Sequence, residues 1–370
     1  MGVQDLADYP WDAVAPYRER AAQHPDGLVD LSIGSPVDPT PEVIRRALAE
    51  ATDAHAYPQT VGTGDVRGAI IEWYHRRRAV PDLTEANVMP TIGSKELVAL
   101  LPLLLGLGPG DIVVHPRVAY PTYAVGAAVV GATAVAADDP DDWPDGAALI
   151  WINSPGNPDG RTWDVDGLRA AVRRARELGA VLASDECYAE LGWDGPWQTQ
   201  PIPSVLDPRV TGGTRANLLS VYSLSKQSNL AGYRAAFIAG CSRLIGEILA
   251  ARKHLGLMPP APVQHAMAVA LRDDEHVAVQ KELYRRRREA LLPALVAAGF
   301  RIDGSEAGLY LWATEGRDAW DSMDRLASLG ILAGPGHFYG DHSGQHVRLS
   351  LTAPLERVQQ AADRLVASVC

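Results

Sequence analysis

Residues 218–234 read LLSVYSLSKQSNLAGYR. The run Leu218–Tyr222 is apolar and β-type, and Lys226 follows it with two serines before it and Arg234 eight residues after it. Because open α/β folds bind ligands at the carboxyl ends of their strands, a lysine in this place is expected to face a ligand. Its amine could form a Schiff base, and the hydroxyl and guanidinium groups around it are donors suited to a phosphate. A solvated loop of ordinary polar residues is the structural alternative.

Similar apolar runs recur on both sides of this stretch and alternate with helical patterns. Most of them lack polar alternation, which is typical of strands covered on both faces. The alternation of strands and helices predicts an α/β fold around a mostly parallel sheet. The predicted strands are Asp111–His115, Ala147–Ile152, Ala180–Ser184, Leu218–Tyr222 and Ala235–Ala239, and the predicted helix between them is Val165–Leu178.

The pattern changes towards both ends of the chain. Thr40 followed by Pro41 predicts a helix over Pro41–His55, since a capping residue followed by proline is typical of helix N-termini. After residue 299 the pattern becomes α+β. Strands are predicted near Leu309–Ala313 and His346–Leu351, and helices near Ala319–Leu329 and from Leu355. These changes predict an N-terminal segment (1–45) packing with the small domain, a large ligand-binding domain (46–270) and a C-terminal small α+β domain (271–370).

Composition disfavours several classes of partner. The 370 residues carry a formal net charge of −11, so the surface should repel nucleic acids and anionic membranes. Cys187, Cys241 and Cys370 have neither metal-site nor disulfide spacing, which favours a reducing compartment and no metal. The apolar run Leu97–Leu107 is shorter than the roughly 20 residues that cross a bilayer, so a buried helix is expected. The N-terminus lacks a secretory pattern, and a cytoplasmic protein is expected.

Two other strand ends carry polar residues that would meet Lys226 at the same edge of the sheet. One run ends at Asp185, with Tyr188 three residues later, and another ends in the turn NSPGNPDG (153–160), which contains Asn157. Pyridoxal 5'-phosphate chemistry needs a carboxylate in such a place, because the anion keeps the proton on the ring nitrogen of the cofactor. Tyr188 could reach the phenolic oxygen of the ring. A strand-end cap and a simple turn are the structural alternatives.

The segment TIGSKE (91–96) opens the apolar helix and places Ser94 where a helix N-terminus binds phosphate. A glycine before a capping serine explains it structurally. The glycine clusters at 62–68 and 334–336 lack the spacing of dinucleotide and nucleotide loops, which disfavours those ligands. Residues 223–226 also fit the S-x-x-K signature of penicillin-binding enzymes, but the S-D-N and K-T-G tripeptides of that family are absent from the sequence.

Arg348 lies in a late β-type run, HVRLS (346–350). Amino-acid substrates share an α-carboxylate, and a planar guanidinium can bind that group with two hydrogen bonds. Arg348 is therefore a candidate for substrate binding, and a surface strand arginine is the structural alternative.

Taken in order, GSKE, YPTY, NSPGNP, SDECY, SLSKQSNLAGYR and VRLS resemble the class I/II aminotransferases of the fold-type I pyridoxal-phosphate superfamily, over nearly the whole chain. The resemblance implies a large domain with a seven-stranded, mostly parallel sheet flanked by helices, and a smaller α+β domain. It implies that Lys226 holds the cofactor as a Schiff base and moves the proton at the substrate α-carbon. Asp185 would pair with the pyridine nitrogen.

The same resemblance implies roles for other residues. Asn157 and Tyr188 would contact the phenolic oxygen, and Tyr120 would stack on the ring. The substrate carboxylate would be held at Gly34 and Arg348. Asp159 replaces the threonine that the family usually has, which puts one capping contact of the turn in doubt. The residues implied to hold the phosphate are Ser94, Lys95, Ser223 and Arg234, with Tyr57 reaching across from the partner subunit of a homodimer.

Within the superfamily the chain looks most like the actinobacterial N-succinyldiaminopimelate aminotransferases of lysine biosynthesis, with glutamate as the amino donor and 2-oxoglutarate as its product. Such a substrate has an extra carboxylate, for which Arg252, Lys253 and His254 are candidate partners. Three alternatives stay open: another class I/II aminotransferase acting on aspartate, prephenate or aromatic amino acids, a pyridoxal-phosphate β-lyase, and a non-catalytic cofactor-binding regulator.

Overall fold

A computed structural model describes residues 10–369. Its strands are β1 (Val29–Asp30), β2 (Val88–Ile92), β3 (Ile112–His115), β4 (Thr133–Ala136), β5 (Ala147–Asn153), β6 (Val181–Asp185), β7 (Leu218–Ser223), β8 (Ala235–Gly240), β9 (Arg301–Ile302), β10 (Tyr310–Thr314), β11 (Ile331–Leu332), β12 (Gly334–Pro335) and β13 (His346–Ser350). Its helices are α1 (Ala15–Ala22), α2 (Glu42–Glu50), α3 (Gly64–Arg78), α4 (Gly93–Leu104), α5 (Thr122–Val130), α6 (Val165–Leu178), α7 (Pro208–Thr211), α8 (Leu224–Gln227), α9 (Ser242–Leu255), α10 (Ala261–Arg272), α11 (Glu275–Ala297), α12 (Ala319–Ser328) and α13 (Leu355–Ala367).

Within residues 10–369 the largest sheet has seven strands in the order β2-β8-β7-β6-β5-β3-β4. The pairs among β4, β3, β5, β6 and β7 are parallel, whereas β8 is antiparallel to both β7 and β2. The predicted α/β class with a mostly parallel sheet is confirmed. The five predicted strands also agree with the structure to within one residue at each end, because long apolar runs without alternation are a strong signal. The edge strands β2 and β4 were not predicted.

Each face of the large sheet is covered by helices, which explains why its central strands are apolar at most positions. Neighbouring residues of one strand point to opposite faces, as the cores show: Leu218 packs in the cluster formed with α3, α6 and α10, and Leu219 packs in the cluster formed with α4, α5 and α9. All six residues of β7 and of β8 are buried. The carboxyl ends of the parallel strands are the part of this sheet left for a site.

Two helix predictions need correction. The helix predicted over Pro41–His55 is the shorter α2, which ends at Glu50, and Pro41 precedes it instead of forming its first turn. Pro41, and not Thr40, is the N-cap residue, and no side chain caps this helix; the Thr40 hydroxyl donates instead to the carbonyl oxygen of Asn229 at 3.1 Å. The buried apolar helix predicted at 97–107 is α4, which begins at Gly93 and contains Pro102.

A second, antiparallel sheet has the order β12-β13-β10-β9, and the short strands β1 and β11 pair in parallel. These strands share a separate hydrophobic core with α11, α12 and α13, to which Val14, Val29 and Leu31 of the N-terminal part contribute. The late strand and helix predictions agree with β10, β13, α12 and α13. The domain boundaries at 45 and 270 stay a prediction, and residues 1–9 lie outside the described part of the chain. No helix within residues 10–369 is both long and apolar enough to cross a membrane.

Candidate active site

A cavity of about 850 Å³ opens at the carboxyl ends of β5, β6 and β7. Parallel pairing sets Asn153 beside Asp185, and Asp185 beside Val221 near the end of β7, so the polar residues that follow these strands meet at one edge. Ten of the residues singled out in the sequence line this cavity: Ser94, Lys95, Tyr120, Asn157, Asp185, Tyr188, Ser223, Lys226, Arg234 and Arg348.

The Lys226 side chain lies in α8, directly after β7, and its amine donates a hydrogen bond to the carbonyl oxygen of Gly34. Burial lowers the pKa of Lys226, although Tyr310 and Cys187 act to raise it. Only a neutral amine is a nucleophile, and a lowered pKa increases its neutral fraction near pH 7. The position of Lys226 and its lowered pKa therefore suit an amine that attacks a carbonyl group.

Asp185 ends β6 and its carboxylate is held from two sides. Tyr123 donates from its hydroxyl to Oδ2 at 3.0 Å, and the backbone amide of Cys187 donates to Oδ1 at 3.2 Å. Burial raises the pKa of Asp185, while the hydrogen bonds from Cys187 and Tyr123 oppose that shift. A cation brought next to this carboxylate would favour the ionised form further, which is what a protonated ring nitrogen would do.

Asn157 is positioned by its own turn and by the second sheet. Its backbone amide donates to Oδ1 of Asn153 at 2.8 Å, and Asn153 also donates to the carbonyl oxygen of Asp185 at 2.9 Å. Asp159 replaces the expected threonine without opening the turn, since the backbone amide of Gly156 still donates to the carbonyl oxygen of Arg161 at 2.8 Å. The Asp159 carboxylate accepts from the amide of Arg161 at 3.3 Å and supplies a capping contact of its own.

A cluster of donors lies between the start of α4 and the loop before β8. Gly93 has φ of +74°, which favours glycine, and a Cβ atom on it would lie 2.3 Å from a terminal nitrogen of Arg234 and force this guanidinium to shift. Ser223 and Ser225 bond each other through their hydroxyls at 2.8 Å. Lys95 is exposed, with its amine 5.9 Å from the centre of the Tyr120 ring. Hydroxyls, a guanidinium and a helix N-terminus together form an anion site of the kind that binds phosphate.

Arg348 comes from β13, yet it is buried in the cavity wall. Its terminal nitrogens donate to Oδ1 of Asn157 at 3.0 Å and to the carbonyl oxygen of Ser32 at 2.7 Å, and its Nε is buried without a hydrogen-bond partner. The guanidinium also lies 4.1 Å from the centre of the Tyr310 ring. A guanidinium fixed in the cavity wall is suited to a ligand carboxylate.

Other predicted residues lie outside the cavity wall. Gly34 contributes its carbonyl to Lys226, and a Cβ atom on it would lie 2.1 Å from the Tyr310 hydroxyl. Tyr57 is 97% exposed and lies outside the cavity lining of this chain. Arg252 is buried and paired with Glu96, with a nitrogen to oxygen distance of 2.8 Å, so it is not open to a substrate. Lys253 and His254, in the last turn of α9, do not line the cavity either.

Sequence reasoning missed several residues of the site. Tyr310 begins β10, and its hydroxyl lies 3.3 Å from that of Tyr188. Although burial acts to raise the pKa of Tyr310, the charges of Arg348 and Lys226 lower it. Cys187, between the predicted Asp185 and Tyr188, lines the same cavity. Tyr123 could have been found as the second tyrosine of the YPTY motif, whereas an apolar strand gives no signal that its first residue, Tyr310, faces a ligand.

Comparisons with known proteins agree with this geometry. The family model "Aminotransferase class I and II" matches residues 26–365. The chain belongs to the class I and II aminotransferases. It is 50% identical to the 4-dedimethylamino-4-oxo-anhydrotetracycline transaminase OxyQ of Streptomyces rimosus, over 98% of this chain and 100% of that protein.

Two further relatives of this aminotransferase are similar over most of their length. "Probable aminotransferase Rv1178" of Mycobacterium tuberculosis is 52% identical over 97% of this chain and 85% of its own. A solved structure named "probable N-succinyldiaminopimelate aminotransferase" from Thermus thermophilus superposes with a TM-score of 0.87 at 28% identity, covering 97% of this chain and 100% of the other. The fold-type I architecture is thereby confirmed together with the family.

The cofactor of this aminotransferase is pyridoxal 5'-phosphate, as in its family. The residues present fit that group: a buried amine with lowered pKa, a carboxylate held by two donors, and an anion site that a Cβ atom at Gly93 would fill. When bound, the cofactor accepts the electrons released as a bond to the substrate α-carbon breaks. Amino acids and 2-oxo acids are the substrates of this reaction.

Proposed function

We propose that this aminotransferase exchanges amino groups between N-succinyl-LL-2,6-diaminopimelate and 2-oxoglutarate in a reversible reaction, in which glutamate is the amino donor in the biosynthetic direction. The convergence of Lys226, Asp185 and Arg348 on one cavity supports the amino-transfer part of this proposal most directly. The cavity of about 850 Å³ is large enough for a cofactor and a long substrate together. The likeness to the Thermus thermophilus protein, named as an N-succinyldiaminopimelate aminotransferase, supports the choice of substrate.

The proposed roles follow from the contacts of each side chain. Lys226 would hold the cofactor and then move the proton at the substrate α-carbon, for which a neutral amine is required. Asp185, fixed by Tyr123 and the Cys187 amide, would hold the proton on the ring nitrogen. Arg348 would bind the α-carboxylate through its terminal nitrogens, by exchanging its present acceptors on Asn157 and Ser32 for the substrate.

The remaining proposed roles concern the cofactor and the assembly. Ser94, Lys95, Ser223 and Arg234 would bind the phosphate, and Tyr120, Tyr188 and Asn157 would contact the ring. Tyr57, which is almost fully exposed in the single chain, would contact the phosphate of the partner subunit in a homodimer. In such a dimer each site is completed by the other subunit.

A second candidate substrate is a bulky polycyclic ketone. The 50% identity to OxyQ, whose name specifies an oxo-anhydrotetracycline, favours it. The wall of the cavity supports the same class, since Trp11, Ile33, Val125 and Phe338 add apolar surface around the polar cluster. Stacking on aromatic side chains is the usual way in which proteins bind flat, fused rings.

The candidate substrates can be distinguished by half-reactions, in which the cofactor-loaded protein meets one amino compound at a time. The cofactor-loaded protein would be mixed with N-succinyl-LL-diaminopimelate, glutamate, aspartate, aromatic amino acids and an aminated anhydrotetracycline, and the loss of visible cofactor absorbance followed. The proposal expects fast responses to the first two compounds and slow ones to the others. A fast response to the tetracycline or to aspartate, with none to N-succinyl-LL-diaminopimelate, contradicts it. Pyruvate released from cystathionine would instead identify a β-lyase.

The role of Lys226 has a test of its own. Lys226→Ala should remove both turnover and the visible absorbance that depends on a covalent link between the lysine and the cofactor. The far-ultraviolet circular dichroism spectrum should match that of the unaltered chain, which excludes a folding defect. Persistence of the absorbance band in the variant would show that another group holds the cofactor.

A further inference from the structure

One face of α11 is polar and buried. Four of its side chains follow one another at intervals of four, four and three residues, which aligns them along a single face of a helix. Each is at most 8% exposed. Because buried polar groups must find hydrogen-bond partners, a buried polar face marks a specific contact. This polar stripe consists of His276, Gln280, Tyr284 and Arg287.

The polar stripe binds the loop that carries the cofactor lysine, here called the lysine loop (226–229). Tyr284 donates from its hydroxyl to the carbonyl oxygen of Lys226 at 3.1 Å. His276 Nε2 lies 2.8 Å from the hydroxyl of Ser228, and Gln280 Oε1 accepts from the side-chain amide of Asn229 at 2.7 Å. Three residues of the lysine loop are thus fixed by three consecutive positions of the stripe.

The same stripe binds the segment that lies over Lys226, here called the covering segment (33–40). Gln280 Nε2 donates to Oδ2 of Asp38 at 2.8 Å, and Arg287 donates to the same atom at 2.8 Å. Although burial acts to raise the pKa of Asp38, the hydrogen bonds from Arg287 and Gln280 lower it, so the carboxylate is charged at neutral pH. Asp38 anchors the covering segment to α11.

The covering segment and the lysine loop also touch each other directly. The Lys226 amine donates to the carbonyl oxygen of Gly34 at one end of the segment, and the Thr40 hydroxyl donates to the carbonyl oxygen of Asn229 at the other. Gln280 is the one side chain of the stripe that bonds both partners, accepting from Asn229 and donating to Asp38. Its amide links the lysine loop to the covering segment, in addition to the direct bonds between Thr40 and Asn229 and from the Asn229 side-chain amide to the carbonyl oxygen of Pro39 at 3.2 Å.

We propose that Gln280 and Asp38 are positioning residues for Lys226, which hold the covering segment over its amine and keep water away from it. This role rests on the role proposed for Lys226. Loss of the Gln280 bridge should leave the lysine loop attached to α11 through His276 and Tyr284. The covering segment should keep its bond from Arg287 to Asp38 but lose the link through Gln280 to Asn229, so that it lies less closely over the amine and admits water.

The surroundings of Lys226 make this displacement measurable. Burial is the main cause of its lowered pKa, and the charged or titratable groups that act on it are Tyr310, Cys187, Arg348 and Arg234. None of these four belongs to the covering segment, so their influence should persist when that segment moves. Water admitted to the amine should therefore raise the pKa of Lys226 towards its ordinary value.

Gln280→Met tests the bridge, because it removes the hydrogen bonds to Asn229 and Asp38 without adding a charge that would itself raise the pKa of Lys226. The rate at which the cofactor-free chain takes up pyridoxal phosphate would be followed by visible absorbance across pH, since only the neutral amine reacts. We expect the midpoint of that profile to move at least about half a pH unit upwards.

Gln359→Met is the matched control. Gln359 donates to Oδ1 of Asp363 at 3.2 Å on an exposed face of α13, so the same substitution removes the same kind of hydrogen bond to an aspartate far from the site. Its uptake profile should not move. A folded Gln280→Met chain with an unmoved midpoint overturns the positioning role, even if its melting temperature falls. If that chain does not fold, Gln280→Ala, which also removes both hydrogen bonds without adding charge, should show the same upward shift, and an unmoved midpoint there overturns the role in the same way.

The two proposals fail separately in these experiments. Covalent cofactor absorbance that persists in Lys226→Ala contradicts the role of the lysine itself. Loss of that absorbance in Lys226→Ala, together with an unmoved midpoint in Gln280→Met, leaves the role of Lys226 intact and contradicts only the positioning by Gln280 and Asp38.

Discussion

Arg348 and Asn157 are hydrogen-bonded to each other across the cleft between the two sheets, with 3.0 Å between a terminal guanidinium nitrogen and Oδ1. Arg348 belongs to the antiparallel sheet and Asn157 to the turn after β5 of the large sheet. The residue proposed for the substrate carboxylate is therefore held by a residue proposed for the cofactor ring. Substrate binding and cofactor binding share one hydrogen-bonded wall.

Arg348→Lys should weaken the binding of amino acids without removing the charge. A lysine cannot supply two parallel donors to a carboxylate while bonding Asn157, and hydrogen bonds to charged groups are worth about 1.5–3 kcal/mol. We expect kcat/KM for glutamate to fall by roughly 10- to 100-fold. Steady-state kinetics measures this, and benzylamine is the control substrate, because it lacks a carboxylate. An equal loss with benzylamine would show that Arg348 maintains the structure of the site and does not bind the substrate carboxylate.

Gly93→Ala should weaken cofactor binding. The substitution brings a Cβ atom to 2.3 Å from the Arg234 guanidinium, and a non-glycine residue at φ of +74° costs a further 1–2 kcal/mol or so. Equilibrium dialysis should show a Kd for pyridoxal phosphate raised by about tenfold or more. Gly64→Ala is the control, since no atom lies within 4 Å of its added methyl group and its φ is not positive. If Gly93→Ala leaves the affinity for pyridoxal phosphate unchanged, Arg234 does not bind the phosphate.

How much of the site the sequence predicts depends on how many positions along the chain separate the residues that are in contact. Asp185 and Lys226 each lie directly after an apolar strand, and parallel pairing brings such strand ends together without further information. The polar stripe of α11 was not predicted, because its contacts with the lysine loop join residues about fifty positions apart. The bond between Arg348 and Asn157 spans 191 positions and depends on how two separate sheets pack.

Asp159→Asn should stabilise the chain at neutral pH. Burial raises the pKa of the Asp159 carboxyl, so the folded state favours its protonated form and the ionised form destabilises the fold above that pKa. Asparagine keeps the acceptor for the Arg161 amide and has no charge to bury. The gain in unfolding free energy, within roughly 1 kcal/mol, should be present at pH 8 and shrink as pH falls towards the ordinary carboxyl pKa. Urea unfolding at several pH values measures it, and a difference that does not vary with pH would contradict the assignment.

A mixture of two inactive variants tests whether Tyr57 acts in the site of its own chain or in that of a partner. Tyr57 is 97% exposed, and a tyrosine that acts across a dimer interface is expected to look so in a single chain. Subunits carrying Tyr57→Ala retain Lys226, and subunits carrying Lys226→Ala retain Tyr57. A hybrid dimer then has one site with Lys226 from the first subunit and Tyr57 from the second.

Random reassociation of equal amounts makes half of the dimers hybrid, so about one quarter of all sites should be intact and the mixture should regain about that fraction of the unaltered activity. The two homodimers, assayed at the same total concentration, give the background to subtract, and sedimentation velocity confirms that the species are dimers. If Tyr57 served its own chain, no site in the mixture would contain both residues. Activity would then stay at the average of the two variants. That result would contradict the proposal that Tyr57 acts in the partner's site, even if the protein is a dimer.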